Sequence, residues 1–297
     1  MKVRIGYGFG TQRGFTADRF AALVDALDGL GFDSLWLSER ITADAPDPII
    51  GLAVAAGRSD RLKLGTSVQV LPGRNPALLA KELATLDVLS NGRFLPAFGL
   101  GIAHPAEQQA FGIERTARAA WFEEALPLIR RFWMEEAVDH DGDRFHFEGL
   151  SVRPKPVQQP PDIWLGGRAP GELRRVGRLA DGWLASFSMP AEVAAGRVVI
   201  EQHAAEHDRI IDPEHFGAMI LYTPDPLPEP VRKLIATRSP EVDPTVLVPS
   251  NLDALERRIT EYVDVGFSKL VLVPLHNAPD WTAELAPIAR RVQPLQT

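Results

Sequence analysis

The sequence predicts a closed (β/α)8 barrel formed as one domain by residues 1–297, and three observations carry that prediction. Short β-prone runs alternate with helical stretches eight times along the chain, the order expected of a parallel sheet wrapped in helices. Several of the β-prone runs are apolar throughout, as strands buried on both faces are. The structural competitor is an open doubly wound sheet, which would carry a phosphate loop or a dinucleotide fingerprint near its first strand. Neither is present: Gly6, Gly8 and Gly10 are not joined by a third glycine at the required offset, and no Gly-Lys-Ser/Thr occurs. A barrel of about 250 residues is a single domain, so the length does not demand a second one.

Each element follows from a local signal. Val3 to Tyr7 is short and β-prone, and Phe20, Leu23, Val24, Leu27 and Leu30 then recur at helical spacing until Gly31 stops the turn. Ser34 to Leu37 is the second strand, Pro48 to Ala56 the second helix and Leu62 to Val70 the third strand. Asn75 is an N-cap with Pro76 at the first helical position, and Leu79, Leu83, Leu86 and Leu89 form one apolar stripe behind it. Phe94 to Phe98 is the fourth strand, followed by a long helix from Arg115 to Glu136 whose Phe122, Leu126, Ile129 and Trp133 share a face. Val138 to Phe147 alternates around Asp141-Gly142, a pairing that favours a tight turn, so a small antiparallel hairpin is expected as an insertion after the fourth helix. Strand five is Asp162 to Leu165, helix five Pro170 to Leu179, strand six Trp183 to Ser186 and helix six Ala191 to His207. Strand seven, Gly217 to Tyr222, leads into a proline-rich excursion from Thr223 to Asn251. That stretch is too long for a plain loop, so it is expected to carry a short helix near Glu229 to Ala236 and to cover the pocket. Leu255, Ile259, Tyr262 and Val263 mark helix seven, Lys269 to Val273 strand eight and Trp281 to Val292 the last helix.

Composition removes several function classes. The net charge is -7, with basic residues scattered, so no nucleic-acid partner is expected. The absence of Cys excludes thiol catalysis, thiolate metal sites and iron–sulfur clusters, and redox chemistry would need a bound cofactor. Met1 to Gly6 lacks the features of a signal peptide, and the uncharged run from Phe94 to Ala106 is too short to span a bilayer. The expectation is a cytoplasmic protein acting on a small-molecule substrate, with no membrane partner.

A barrel places its chemistry at the C-terminal ends of its strands, so the residues after each strand are the candidates. Metal hydrolysis fits poorly, because no His-x-His follows the first strand. His203 and His207 lie one turn apart without the His-Glu-x-x-His arrangement, which reads as a solvated helix face. Asp139, Asp141 and Asp143 imitate a calcium loop, yet Arg144 takes the place of its glycine and Leu150 that of its bidentate Glu. Gly65-Thr66-Ser67-Val68-Gln69 misses the last glycine of a nucleophile elbow. The positive signal is Ile163-Trp164-Leu165-Gly166-Gly167-Arg168-Ala169-Pro170-Gly171, where a strand runs into two glycines and a helix begins at a proline. Two glycines permit close backbone approach, and free N–H groups at a helix start suit a phosphate. A simple tight turn is the alternative reading.

Larger blocks carry a resemblance. Gly31-Phe32-Asp33-Ser34-Leu35-Trp36-Leu37-Ser38-Glu39, Leu64-Gly65-Thr66-Ser67-Val68, the run from Leu78 to Phe94, Arg153-Pro154-Lys155-Pro156-Val157-Gln158, Gly166-Gly167 and Ala180-Asp181-Gly182-Trp183 occur in this order. Together they resemble the bacterial luciferase-like superfamily of flavin- and deazaflavin-dependent oxidoreductases, which are (β/α)8 barrels and homodimers. The resemblance implies that Gly166, Gly167, Arg168 and Ala169 hold the cofactor phosphate. It implies a non-proline cis peptide at Ser67-Val68, bulging against the cofactor ring, and places Glu39 at the acidic position beside the cofactor; a strand-end salt bridge is the other reading of Glu39.

Two departures bear on the chemistry. Many members of the superfamily place His after the acidic residue, where this chain has Arg40. A guanidinium does not act as a base, but it can steady negative charge on the ring or bind an anionic substrate. Ile102 stands where the sugar-phosphate dehydrogenases of the superfamily carry Glu, so that substrate is not assigned. His104, in the loop after strand four, is the acid/base candidate, with a plain surface role as the alternative. The block pattern resembles the coenzyme F420-dependent branch, in which hydride moves between substrate and cofactor. The alternatives are FMN-dependent monooxygenation with reduced flavin and oxygen, and a barrel that binds a cofactor without turnover.

Overall fold

The computed structural model describes residues 1–10, 14–240 and 242–297. Its strands are β1 (Arg4–Gly8), β2 (Ser34–Leu37), β3 (Lys63–Thr66), β4 (Gln69–Val70), β5 (Phe94–Leu95), β6 (Ala97–Gly99), β7 (Val138–Asp141), β8 (His146–Leu150), β9 (Trp164–Gly166), β10 (Gly182–Ala185), β11 (Phe216–Tyr222) and β12 (Lys269–Pro274). Its helices are α1 (Ala17–Gly29), α2 (Pro48–Ala56), α3 (Pro76–Leu89), α4 (Pro105–Phe111), α5 (Arg118–Met134), α6 (Pro170–Leu179), α7 (Pro190–Ala205), α8 (Glu229–Arg238), α9 (Pro244–Leu247), α10 (Leu252–Asp264) and α11 (Trp281–Val292).

The parallel sheet closes on itself. β1 pairs with both β12 and β2, and the ladder continues from β12 through β11, β10 and β9 to β6. On the other side β2 pairs with β3, β3 with β5 and β4 with β6. The third and fourth barrel strands are therefore each built from two short pieces, not the unbroken runs expected. β3 and β4 are separated by a cis peptide bond between Ser67 and Val68, as the family resemblance implies, and β5 and β6 by Pro96. Across the interruption the Thr66 hydroxyl donates to Ala97 O and accepts from Ala97 N, both at 2.7 Å. Counting each broken pair as one, the barrel has the predicted eight-fold repeat.

Two apolar layers follow from strand alternation. Ile5, Leu35, Leu37, Leu64 and Phe98 point outward and pack with helix residues such as Leu23, Leu83, Phe122 and Leu285. Trp36, Ala97, Trp164, Leu184, Leu221, Val271 and Val273 fill the bore. Trp36 lies across the bore in space that two glycines leave open: a Cβ on Gly65 would sit 2.2 Å from its ring, and one on Gly6 2.8 Å from its Nε1. The bore cluster continues upward into Ile235, Leu247 and Val248, so the excursion after β11, apart from position 241, lies over the barrel mouth as expected.

Several local expectations change. The long helix begins at Arg118, and a separate short helix, α4, precedes it. Leu79, Leu83 and Leu86 are buried on α3, but Leu89 is exposed while Ser90 is buried in its stead. The hairpin exists, yet Asp141 pairs with His146, leaving Gly142 to Phe145 as the connection in place of a two-residue turn. Glu124 of α5 shapes that connection by accepting from Arg144 N at 3.1 Å and Phe145 N at 3.0 Å.

Candidate active site

The mouth of the barrel is rimmed by half-buried residues that follow the strands, among them Ser38, Arg40, Val68, Ile102, Arg168 and Phe187. Val68 is the centre of one side. Its methyls occupy the room that Gly99 and Gly166 leave by having no side chain, since a Cβ there would lie 2.6 Å and 3.0 Å away. Ser38 supports this ledge from the neighbouring strand, its hydroxyl donating to Ser67 O at 2.8 Å and lying 3.2 Å from Ser67 Oγ.

Beside the ledge, β9 runs through Gly166 and Gly167 into α6. Gly167 has φ +111°, and Trp183 Nε1 donates to its carbonyl at 2.8 Å. The amides that follow are directed at an oxyanion, but they are not free as the sequence suggested. Arg168 N and Ala169 N both donate to the Glu172 carboxylate at 2.9 Å. The residues thus fit a phosphate in donor type and direction, and the chain's own carboxylate is the group a phosphate must displace. The Arg168 side chain reaches away from this nest, donating to Phe187 O at 2.6 Å and to Ser239 Oγ at 2.7 Å, which ties the cover to the end of β10.

Glu39 follows β2 with its carboxylate only 2% exposed. It accepts from Val70 N at 2.7 Å and pairs with Arg74, which itself donates to Val70 O. Burial pushes the Glu39 carboxyl above its ordinary range, more than the Arg74 charge and the Val70 amide pull it down. Both oxygens are engaged with the protein, so the geometry is that of the strand-end ion pair.

Arg40, next in sequence, is the opposite case. Its guanidinium makes no hydrogen bond or ion pair among the described residues; burial lowers its pKa, and the nearby charge of Glu107 partly offsets this. Glu107 is 2% exposed and is saturated by other donors. It accepts from Ile41 N at 3.2 Å, Thr42 N at 3.1 Å and Thr42 Oγ1 at 2.8 Å. His104 is exposed at the N-cap of α4, where its side chain makes no capping hydrogen bond. The structure therefore brings Arg40, Ser67, Val68, Gly166, Gly167 and Arg168 to one rim. It turns the Glu39 carboxylate into the wall and leaves Ala169 exposed, engaged through its amide.

Arg74, Glu107 and Glu172 escaped the sequence reading, as did Glu284 of α11, on which a buried chain of strand-end residues converges. Tyr222 OH donates to Glu284 Oε1 at 3.1 Å, which leaves Tyr7 OH as the donor in the 3.1 Å contact between the two hydroxyls. His276 Nε2 lies 2.8 Å from the same Glu284 oxygen. Burial drives both tyrosine hydroxyls well above their ordinary pKa, so they stay protonated donors. These groups tie β1, β11 and the loop after β12 to the outer helix.

Comparison with known proteins places this architecture. Among curated relatives, F420-dependent glucose-6-phosphate dehydrogenases from Kineococcus radiotolerans and Microbacterium testaceum are 30% and 26% identical, over 61% and 82% of this chain and 56% and 83% of theirs. A phthiodiolone/phenolphthiodiolone dimycocerosates ketoreductase from Mycobacterium kansasii is 30% identical over 52% of this chain and 49% of its own length. The chain thus spans about half the length of the Kineococcus and Mycobacterium relatives it matches. Among solved structures, an F420-dependent secondary alcohol dehydrogenase in complex with an F420-acetone adduct superposes over the full length of both chains with a TM-score of 0.83 at 19% identity. A monooxygenase from Streptomyces bottropensis gives 0.80 at 21% identity, covering 98% of this chain and 99% of its own. These likenesses show the shared barrel fold. The family model for luciferase-like monooxygenases matches residues 3–239, and the chain belongs to that family.

Proposed function

We propose that the protein is an oxidoreductase that seats a phosphorylated deazaflavin, coenzyme F420, at the barrel mouth and uses it on a small organic substrate. The observation that carries this reading is the pair of amides at Arg168 and Ala169, aimed at an oxyanion beside the Val68 ledge. The F420 dependence named for the curated relatives supports this cofactor over FMN. Bound there, a deazaflavin supplies a carbon that exchanges hydride with the substrate. In this reading Gly167, Arg168 and Ala169 bind the phosphate through their backbone, and Val68 supports one face of the ring. Arg40 supplies positive charge to the rim, and the cover after β11 excludes water. Ile102 puts an apolar side chain on the rim, which favours a substrate other than a sugar phosphate.

Equilibrium titration of the purified protein with F420 and with FMN, followed by hydride-transfer and oxygen-uptake assays, tests the proposal. Saturable F420 binding with substrate-dependent bleaching is the expected result. Oxygen consumption with reduced FMN would move the protein to the monooxygenase branch, and binding without turnover would make it an accessory barrel.

The same reading includes a cytoplasmic homodimer. Among the described residues no helix is long and apolar enough to cross a membrane. α2, Pro-Ile-Ile-Gly-Leu-Ala-Val-Ala-Ala, has no polar side chain on any face. A helix apolar all round is ordinarily buried, yet Ile50 is 68% and Val54 53% exposed, with Leu78 of the adjacent α3 at 66%. A second copy of the chain covering this face accounts for all three.

A further inference from the structure

We propose that Glu107 is a positioning residue for Arg40: it docks α4 against the loop after β2 and fixes that loop so that the Arg40 guanidinium meets an anionic group of the substrate. The proposal rests on reading the barrel mouth as the substrate site. Surface helices normally dock through an apolar stripe. α4 does not; Glu107 is its only buried residue. The two Glu107 oxygens take three hydrogen bonds from Ile41 and Thr42, the residues directly after Arg40, so one carboxylate joins the helix to the loop that carries the guanidinium. Burial alone would raise the Glu107 carboxyl, but these donors and the Arg40 charge bring it below its ordinary range and keep it ionised.

Both flanks of α4 are tied down by buried Arg118, which donates to Leu100 O at 2.9 Å and to Ile113 O at 3.3 Å. Gly101 has φ +79° and Gly112 φ +63°, left-handed conformations that glycine adopts without cost, and a Cβ on Gly112 would touch nothing. Glu107, whose charge acts on Arg40, is already satisfied by the loop, and Glu39, next to Arg40 in sequence, by Arg74 and the Val70 amide. Arg40 is left as a half-buried cation without a hydrogen bond or ion pair among the described residues, a site that gains most from an incoming carboxylate or phosphate.

The experiment uses the full chain without cofactor, so its outcome is independent of whether F420 or FMN binds. Amide hydrogen exchange is followed in wild type, Glu107→Ala, Glu107→Gln and Thr42→Val, and benzoate and inorganic phosphate are titrated calorimetrically into these and into Arg40→Gln. Expected for Glu107→Ala is exchange faster by on the order of tenfold at residues 41–42 and 105–111, with barrel strands unchanged. Thr42→Val should give a smaller local increase, and Glu107→Gln, which keeps an acceptor for Thr42, should recover part of the protection. Benzoate or phosphate should bind wild type, lose about tenfold in affinity in Arg40→Gln and weaken in Glu107→Ala although Glu107 does not touch the anion. Unchanged exchange at 41–42 in both Glu107→Ala and Thr42→Val would overturn the docking role of Glu107. Failure of either anion to bind wild type, or equal binding to Arg40→Gln, would overturn the role given to Arg40. Should Glu107→Ala lose its fold altogether, Thr42→Val decides the matter.

Discussion

Removing the charge of Glu172 should tighten phosphate binding at the barrel mouth while weakening the fold slightly. Its carboxylate accepts from Arg168 N and Ala169 N, both at 2.9 Å, at the start of α6. A capping contact of this kind contributes about 1 kcal/mol, and the helix dipole adds about 0.3–1 kcal/mol for an anion there. A phosphate must break this contact to reach the same amides, so its affinity is lowered by a comparable amount. Glu172→Ala should therefore tighten FMN or F420 binding by roughly tenfold, since about 1.4 kcal/mol corresponds to that factor. Glu172→Gln keeps an acceptor without the charge and should give a smaller gain. Riboflavin, and the deazaflavin stripped of its phosphate tail, should bind all three proteins equally. The same Ala substitution should lower Tm by about 2–4 °C. Fluorescence titration of the full chain gives the affinities and calorimetry the stability. Unchanged or weaker phosphate-cofactor binding in Glu172→Ala, or an equal gain for riboflavin, would refute the competition.

Three further outcomes follow from the packing. Lys269 and Asp33 form a 2.8 Å ion pair below the bore; burial pushes the Asp33 carboxyl up, but the charge and hydrogen bond of Lys269 bring it below the ordinary aspartate range. The pair's contribution is then full above the unfolded aspartate pKa and is lost as pH falls through the lower folded value, and Lys269→Met should cost about 3–5 kcal/mol in urea unfolding at neutral pH. A Gly65→Ala substitution drives its Cβ into Trp36 and should destabilise by about 1–3 kcal/mol by the same assay; a neutral result would mean the indole does not lie across the bore. Ile50→Glu should turn a dimer into a monomer in analytical ultracentrifugation, and an unaltered oligomer would remove α2 from the interface.

The barrel is legible in the sequence because its information is periodic. Ser34 to Leu37, Pro48 to Ala56, Pro170 to Leu179 and Trp281 to Val292 are framed by glycine, proline or capping residues and stand within the structure at the predicted bounds. α4 was invisible for the converse reason: Pro-Ala-Glu-Gln-Gln-Ala-Phe has no apolar face, and the contact that docks it is one carboxylate to a loop 65 residues earlier. Leu89 fits a spacing of three, but the helix continues its buried face through Ser90, four residues after Leu86. Glu39 and Arg74 are 35 residues apart, and no local pattern joins them. Glu172 was half readable, since it stands three residues after the N-cap where a capping box has Glu, but Ala169 lacks the hydroxyl that completes the motif. Site residues recognised by pattern thus lie at strand ends, whereas those that hold them in place are matched only by tertiary contact.

The seam between β1 and β12 bears on how the molecule is made. Arg4 to Tyr7 lie against Lys269 to Leu272, so β1 is made long before the strand that seals its hydrogen-bonding edge. Throughout that interval Ile5 and Tyr7 belong to an unfinished rim able to recruit other nascent chains. Closure of the barrel is thus a non-local step, whose loop-closure entropy is met before its contacts form.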